Sequence, residues 1–340
     1  MKLKKVKRHS WKKEIQTLNS ILNFRKTINI IFLKFNLKKK IKYWTQAARL
    51  ETLPLSISGI ILGSSYAFYN QSFDYIIFTL CLFTAISFQI LSNFANDYGD
   101  GVLGTDNNRI GPSRVLASGK LSIKELKKGI LINVLISITF SFSLIKYSFK
   151  NDYFLILFFL FLSTLSIVAA IKYTMGKNPY GYYGLGDIFV FIFFGLLSVF
   201  GSFFLQKKVI NYDLYILGST IGFLCVGVLN LNNIRDIKND LRMNKKTIPV
   251  RVGFRTAKVY QFFLILFAII FAALFTAKFK ISKNYIFVIL AILPLIFHLF
   301  RVKKSRNPIE FKPLLKQLAI STFIFSIFMS IFMIYESIFF

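Results

Sequence analysis

The amino-acid sequence predicts an all-α fold, a polytopic membrane protein with nine transmembrane helices. Its 340 residues are 55% hydrophobic, and apolar runs of about 20 residues, long enough to cross the hydrocarbon core of a bilayer, recur along the chain. These runs exclude a soluble α/β enzyme. The formal charge of +30 agrees with an excess of Lys and Arg on the cytoplasmic side and with contact to anionic lipid headgroups. The lipid bilayer is therefore the expected partner, and nucleic acid is not.

The first 45 residues differ from the rest because they are strongly basic and only briefly apolar. No continuous apolar core with a small-residue cleavage site follows, so a secretory signal peptide is not predicted. We predict that residues 1–45 form a cytoplasmic extension, either a tail or an amphipathic helix lying on anionic lipid. An organellar targeting segment and a partner-binding arm are the alternatives. Residues 46–340 are predicted to form the transmembrane domain.

Nine apolar segments are predicted to span the membrane. In chain order they cover residues 53–69, 75–96, 126–147, 153–173, 187–205, 212–232, 257–277, 285–300 and 314–335. The loops after the second, sixth and eighth segments are long or basic, whereas those after the first, third, fifth and seventh are short and less basic. The positive-inside rule then predicts a cytoplasmic N-terminus and an external C-terminus. We expect a multi-pass protein of the cell (inner) membrane.

Two short polar stretches follow the second and sixth apolar segments. The first runs from Asn93 to Asp100, with Asp106 shortly after it, and the second covers residues 232–240. Together they hold five of the 14 Asp and Glu residues, three in the first and two in the second. Because both stretches end even-numbered spans, both are predicted to emerge on the cytoplasmic side. They can therefore face each other across one cavity.

The spacing of these polar residues predicts a magnesium site. Residues three or four apart share one face of a helix. Each stretch therefore carries one polar stripe, which comprises Asn93, Asp97 and Asp100 in the first and Asn232, Asp236 and Asp240 in the second. Mg²⁺ prefers oxygen ligands and usually takes one or two carboxylates, with water and substrate phosphate oxygens completing its shell. Two facing stripes would suit a diphosphate bridged by metal ions.

Basic residues follow each stripe and could contact the remaining phosphate oxygens. They are Arg109, Arg114 and Lys120 after the first, and Lys245, Lys246 and Arg251 after the second. Metals and cations together stabilise the charge on a departing diphosphate. Its departure leaves a carbocation, so an allylic prenyl chain is the natural substrate, and a membrane cavity would keep that cation from water. The alternative is that these acids only cap helices or pair with loop arginines. The matching positions of the two stretches argue against it.

Two further residues have two interpretations each. Tyr173, at the end of the fourth span, could offer its ring face to a carbocation, or it could be one of the tyrosines common at membrane interfaces. Asp187 ends a loop over residues 178–187 that is rich in Gly and aromatic residues. That loop could shape an acceptor pocket, and Asp187 could equally be a plain helix N-cap.

These stretches resemble the two aspartate-rich motifs of the UbiA superfamily of intramembrane prenyltransferases. The similarity includes residues 93–114, 173–187 and 230–253, together with residues 45–55 (TQAARLETLPL), and runs from about Trp44 to the C-terminus. The GPSR segment after Asp106 and the loop PYGYYGLGD favour the branch that prenylates 1,4-dihydroxy-2-naphthoate in menaquinone biosynthesis. The N-terminal extension is longer and more basic than that pattern requires.

The resemblance implies nine helices around a central cavity that opens laterally. It also implies Mg²⁺-dependent ionisation of a polyprenyl diphosphate, followed by attack of 1,4-dihydroxy-2-naphthoate with loss of its carboxyl group to give demethylmenaquinone. Matched by position, the residues that would hold metal and diphosphate are Asn93, Asp97, Asp100, Asp236 and Asp240, and Asp106 would assist from the loop. The residues that would clamp the diphosphate or the acceptor carboxylate are Arg114, Lys120, Lys245 and Arg251.

Other functions compete with this interpretation. An ion-coupled transporter also carries intramembrane acids, but usually near the bilayer midplane and on broken helices. A phosphotransferase acting on lipid alcohols also uses aspartates and Mg²⁺, but its usual single Asp-rich helix signature is missing. Another UbiA branch, with an acceptor such as 4-hydroxybenzoate, is the nearest alternative. Acids at span ends beside cationic loops favour a phosphate site.

Overall fold

The computed structural model describes residues 38–106, 111–279 and 284–339. The chain divides into two units, residues 1–46 and 47–340. In the first unit the described residues, 38–46, are helical. Most of the predicted extension lies outside the described residues, so its cytoplasmic or membrane-surface role stays a prediction.

Nine α-helices make up the described part of the second unit. They are α1 Leu53–Tyr69, α2 Tyr75–Val102, α3 Ile123–Phe149, α4 Tyr153–Lys172, α5 Gly186–Lys207, α6 Asp213–Arg242, α7 Ile248–Thr276, α8 Tyr285–Lys304 and α9 Phe311–Phe339. The all-α prediction with nine helices is confirmed. Eight of the described helices are long and apolar enough to cross a membrane. The remaining one, α1, has 17 residues, about the shortest length that spans a bilayer.

The two helices that carry the acidic stretches extend beyond their predicted ends. The second span was predicted to end at residue 96, but α2 continues to Val102, and the sixth was predicted to end at residue 232, but α6 continues to Arg242. Hydropathy falls where the polar residues begin, although the backbone hydrogen bonding of the helix does not stop there. Both polar stripes therefore lie on the last turns of rigid helices.

Close backbone approaches at glycines position α5 between α1 and α6. A Cβ added at Gly195 of α5 would lie 2.5 Å from the Cα of Gly222 in α6. On the other side, a Cβ at Gly63 of α1 would lie 2.1 Å from the carbonyl oxygen of Val199. Helix α5 is π-helical over Phe191–Leu197 at this crossing, a deviation that often occurs at functional sites. These contacts make α1, α5 and α6 three walls of one cavity.

Candidate active site

A cavity of about 410 Å³ lies among α1 to α6, with residues of both acidic stretches at one end. The acids and amides that line this end are Asn93, Asn96, Asp100, Asp106, Asn232, Asn233, Asp236, Asn239 and Asp240. Among the described lining residues the basic ones are Arg49, Arg114 and Lys245. Away from this end the cavity follows one face of α5 from Gly186 to Leu205, a rise of about 28 Å along a helix. The cavity therefore has two parts: a charged end, here called the head, and a long apolar part along α5, here called the arm.

Asp97 is held by two arginines from different parts of the chain. Arg49 Nη2 pairs with Asp97 Oδ1, and Arg114 Nε lies 3.5 Å from the same oxygen. The backbone N–H of Val115 donates to Asp97 Oδ2 at 3.3 Å. Asp97 is 1% exposed and is not among the residues that line the cavity. In this state its carboxylate fixes Arg49 and Arg114, which do line the cavity.

Asp100 lies at the centre of a second group of contacts. The hydroxyl of Tyr182 donates to Asp100 Oδ1 at 2.8 Å and also contacts the hydroxyl of Thr105 at 2.6 Å. Lys245 Nζ lies 3.6 Å from Asp100 Oδ2 and 4.9 Å from the centre of the Tyr182 ring. Burial and the charge of Asp100 raise the pKa of Tyr182, so the phenol keeps its proton and acts as a donor. These contacts connect the first stretch to the loops before α5 and α7.

The second stretch is ordered by a buried arginine. Arg235, which is 4% exposed, donates to both oxygens of Asp236, from Nε at 2.8 Å and from Nη2 at 2.6 Å. Its Nη2 also donates to Asn232 Oδ1 at 2.8 Å. Asp240 accepts from the hydroxyl of Thr247 at 3.4 Å. One side chain therefore sets the positions of two residues of the second polar stripe.

The two stretches are linked directly by Asn239, whose Nδ2 donates to the carbonyl of Thr105 at 2.7 Å. This hydrogen bond joins α6 to the segment that follows α2. Because both stripes are on rigid helices and are tied together here, their separation across the cavity is fixed by the fold. Their arrangement can hold oxygen-rich and anionic groups at the head of an apolar channel.

Comparison with known proteins identifies the family. Residues 56–327 match the sequence model of the UbiA prenyltransferase family, which covers well over half of the chain. The chain belongs to the UbiA prenyltransferase family. The family resemblance inferred from the two motifs is thereby confirmed, and with eight spanning helices in its described part the protein is a multi-pass integral membrane protein.

Two curated relatives cover most of the chain. A 1,4-dihydroxy-2-naphthoate octaprenyltransferase from Haemophilus influenzae is 40% identical over 301 residues, covering 87% of this chain and 96% of the relative. A protein of the same description from Escherichia coli is 37% identical over 278 residues, covering 81% and 89%. Among solved structures, a UbiA homolog from Archaeoglobus fulgidus bound to GPP and Mg²⁺ has a TM-score of 0.62 at 14% identity and covers 86% of this chain and 99% of that one. This last similarity supports the UbiA fold.

Several residues predicted for the site lie outside the cavity of this UbiA family member. Lys246 and Arg251 are exposed, and Arg251 donates to the carbonyls of Tyr183 at 2.6 Å and Lys246 at 3.1 Å. Lys120 Nζ lies 3.3 Å from Ser113 Oγ. Asp187 accepts from the hydroxyl of Tyr260 at 2.9 Å. Neither Lys120 nor Asp187 lines the cavity, and Arg109 lies outside the described residues.

Arg251 closes one loop onto another. Its two carbonyl partners belong to the loop before α5 and to the loop before α7. At Gly184, where φ is 74°, a Cβ would lie 2.7 Å from the carbonyl oxygen of Lys246, so the two loops touch. Gly253, with φ 81°, interrupts α7 just after Arg251. The backbone therefore turns at Gly253, and the first turn of α7 is set apart from the rest of the helix.

Residues that the sequence did not mark also belong to the site. Tyr173, which was marked, lines the cavity and meets Tyr180 edge-on at 5.3 Å between ring centres. Beside it, the unmarked residues in or next to the cavity are Arg49, Thr52, Gln89, Tyr182, Arg235 and Asn239. A signal existed for Arg49, which stands alone as a cation directly before the first apolar segment, and for Tyr182, which lies in the aromatic loop. No comparable signal distinguished Gln89 within α2.

Proposed function

We propose that this protein transfers a polyprenyl group from polyprenyl diphosphate to 1,4-dihydroxy-2-naphthoate, with loss of the carboxyl group, to give demethylmenaquinone in its reduced form. The observation that carries this proposal is that one cavity has both acidic stretches and three basic side chains at its head and an apolar arm along α5. Two relatives described as 1,4-dihydroxy-2-naphthoate octaprenyltransferases, at 40% and 37% identity, support the acceptor.

The donor set fits Mg²⁺. Among residues 38–106, 111–279 and 284–339, no three His, Cys, Asp or Glu side chains are close enough to hold one metal ion. Mg²⁺ usually takes one or two carboxylates and completes its shell with water and phosphate oxygens. Asp100, Asp236 and Asp240 line the cavity with oxygen ligands only, and the Archaeoglobus relative was solved with GPP and Mg²⁺. When bound, Mg²⁺ would neutralise charge on the diphosphate.

The two parts of the cavity would have different roles: the head would bind the diphosphate, and the arm would hold the prenyl chain. Arg49, Arg114 and Lys245 would contact the diphosphate oxygens as the allylic C–O bond breaks and its electrons leave with the diphosphate. Asn93, Asp97, Asp106 and Asn232 would position those groups, and Asp187, Lys120, Lys246 and Arg109 are proposed as further substrate-binding residues. Arg251 would act indirectly, by holding the loops before α5 and α7 together. Tyr173 would present its ring to the carbocation. A ring carbon of the acceptor then attacks the cation, and the carboxyl group leaves as CO₂.

The apolar arm would hold the prenyl chain and exclude water. Along α5 the lining residues are largely aromatic or aliphatic, among them Phe189, Phe193, Phe194 and Leu197. Exclusion of water matters because water would compete with the acceptor for the carbocation. We place the acidic head on the cytoplasmic side of the cell (inner) membrane, with the N-terminus in the cytoplasm, because the basic loops lie beside it.

A membrane assay with labelled polyprenyl diphosphate and Mg²⁺ tests the proposal. We expect a prenylated product with 1,4-dihydroxy-2-naphthoate, none with 4-hydroxybenzoate, and none when the metal is chelated. Product from 4-hydroxybenzoate alone would keep the chemistry but assign the protein to another UbiA branch. Folded protein that makes no product with either acceptor would overturn the proposal and favour ion transport.

A further inference from the structure

The two long walls of the cavity differ in polarity. The α5 wall is largely aromatic and aliphatic, and the hydroxyls of its Ser198 and Ser202 donate to carbonyls of the same helix. Another wall, formed by α2, the start of α1 and the turn before it, carries the polar side chains Thr52, Ser56, Thr84, Gln89 and Ser92, with Asn93 at the head. A prenyl chain has no group to satisfy such a wall, and a diphosphate would be held at the head. The polar wall therefore suits a third chemical group, one that combines an apolar body with polar substituents.

The hydrogen bonds around Gln89 fix the orientation of its amide. The hydroxyl of Thr52 donates to the carbonyl of Arg49 at 2.9 Å, so the oxygen of that hydroxyl must face donors. The Thr52 hydroxyl oxygen accepts hydrogen bonds from Gln89 Nε2 and from Asn93 Nδ2, each at 3.1 Å. Asn93 Nδ2 also donates to the carbonyl of Ala48 at 2.8 Å, which leaves Asn93 Oδ1 toward Gln89 Nε2 at 3.4 Å. The amide nitrogen of Gln89 therefore donates to protein atoms, whereas its amide oxygen has no protein partner among the described residues.

Three polar atoms on this side of the cavity have no hydrogen-bond partner in the part of the chain that the structure describes. They are Gln89 Oε1, Thr84 Oγ1 and Arg49 Nε, and all three are buried. Most buried polar atoms in proteins are hydrogen-bonded, and leaving one unsatisfied costs free energy. All three residues line the cavity. The set offers two acceptors for hydroxyl groups and one cationic donor for an anion.

We propose that this wall is the acceptor subsite, and that Gln89 recognises the ring hydroxyls of a hydroxylated aromatic acid. A ring hydroxyl donates to Gln89 Oε1, a second donates to Thr84 Oγ1, and the carboxylate accepts from Arg49 Nε. Gln89 and Thr84 are five residues apart, a rise of about 7.5 Å along α2, and both line the cavity. The ring then lies between this wall and the prenyl chain on α5. This inference rests on the proposed function and adds the residues that select the acceptor.

The Gln89→Leu variant tests this subsite in the membrane assay. It removes the acceptor oxygen at nearly constant volume, so we expect the KM for 1,4-dihydroxy-2-naphthoate to rise about tenfold, the effect of losing one hydrogen bond. The KM for polyprenyl diphosphate should change less than about twofold. The matched control is Gln206→Leu, which changes a buried glutamine of α5 that accepts from the backbone of Asp74 at 2.9 Å and does not line the cavity. It should leave both KM values unchanged.

A second readout separates recognition from folding. 2-Naphthoate has the rings and the carboxylate but no hydroxyl donors. Its inhibition constant on wild-type protein should therefore be larger than the KM for 1,4-dihydroxy-2-naphthoate. In Gln89→Leu that difference should shrink. If Gln89→Leu does not fold, Thr84→Val decides the matter, because Thr84 Oγ1 has no partner among the described residues and its loss removes nothing from the fold.

The outcomes distinguish this inference from the proposed function. An unchanged acceptor KM in Gln89→Leu, or a rise in the diphosphate KM alone, would overturn the subsite while wild-type turnover still supports the prenyltransferase. Wild-type protein that makes no product from the naphthoate fails at the earlier step and refutes the proposed function itself.

Discussion

Arg235 binds both carboxylate oxygens of its neighbour Asp236, with N–O distances of 2.8 Å and 2.6 Å. Both side chains are nearly inaccessible, at 4% and 7%. A similar arrangement recurs in the first stretch, where Arg49 and Arg114 meet Asp97 and Lys245 meets Asp100. The acids of the head are therefore matched with cations inside the protein. Binding of metal and diphosphate would exchange these partners, with carboxylates turning to metal and cations to phosphate.

The first prediction concerns the ion pair between Arg235 and Asp236. Arg235→Leu leaves the carboxylate of Asp236 buried without the two guanidinium donors of Arg235. This should lower the free energy of unfolding by about 3–5 kcal/mol. Arg235→Lys keeps the charge but cannot donate from two nitrogens in one plane, so an intermediate loss is expected. Thermal unfolding in detergent measures both.

Asp236→Asn is the complementary variant to Arg235→Leu. It should remain folded and yet lose turnover by about a hundredfold or more, the scale of losing one charge-stabilising group. Its Mg²⁺ requirement should also rise. Full turnover at the wild-type Mg²⁺ concentration would show that Asp236 does not bind the metal.

The sequence predicted the helices better than the contacts between them. Hydropathy marks the apolar spans, and the spacing of Asp236 and Asp240 places both on one helical face, which is why both line the cavity. The bond between Arg235 and Asp236 was not expected, because consecutive residues do not normally face each other on a helix. Arg49 reaches Asp97 across 48 positions, and no local pattern encodes that distance. Asp97, chosen by the same spacing rule, lies behind the cavity wall, since packing decides which side of a stripe faces the cavity.

Tyr182→Phe tests the hydroxyl that joins the first acidic stretch to the aromatic loop. It removes the donor to Asp100 and the contact with Thr105, so we expect kcat/KM for the diphosphate to fall about tenfold, as for one charge-assisted hydrogen bond. Because the pKa of Tyr182 is raised, the hydroxyl is protonated throughout the neutral range. The ratio of wild-type to variant activity should therefore be flat between about pH 6 and 9. A ratio that changes with pH in that range would show that Tyr182 titrates.

A pair of glycines on α5 tests the packing that forms the cavity. Gly195→Ala puts a Cβ 2.5 Å from the Cα of Gly222, a backbone atom that cannot move aside. The variant should lower the free energy of unfolding by about 1–3 kcal/mol, as overpacked cores do. Gly201→Ala is the matched control, because its Cβ would meet only the Cδ1 atom of Leu197, at 3.9 Å. Helix propensity should make it neutral or slightly stabilising. Equal melting temperatures for the two variants would contradict the close crossing of α5 and α6.

Two basic residues predicted as clamps should now behave differently. Lys245 lines the cavity and lies 3.6 Å from Asp100, so Lys245→Ala should raise the KM for polyprenyl diphosphate more than that for the acceptor. Arg251 is exposed and ties the loops before α5 and α7 together through backbone carbonyls, so Arg251→Ala should loosen both loops without a selective effect on either KM.

Limited proteolysis and steady-state kinetics, measured on the same preparations, separate the two roles. We expect faster cleavage near residues 178–187 in Arg251→Ala, because its hydrogen bonds hold that loop, and an unchanged cleavage pattern in Lys245→Ala. A selective rise of the diphosphate KM in Arg251→Ala, with the loop still protected, would return Arg251 to the substrate-binding residues. In that case its side chain would have to leave the carbonyl oxygens of Tyr183 and Lys246 when substrate binds.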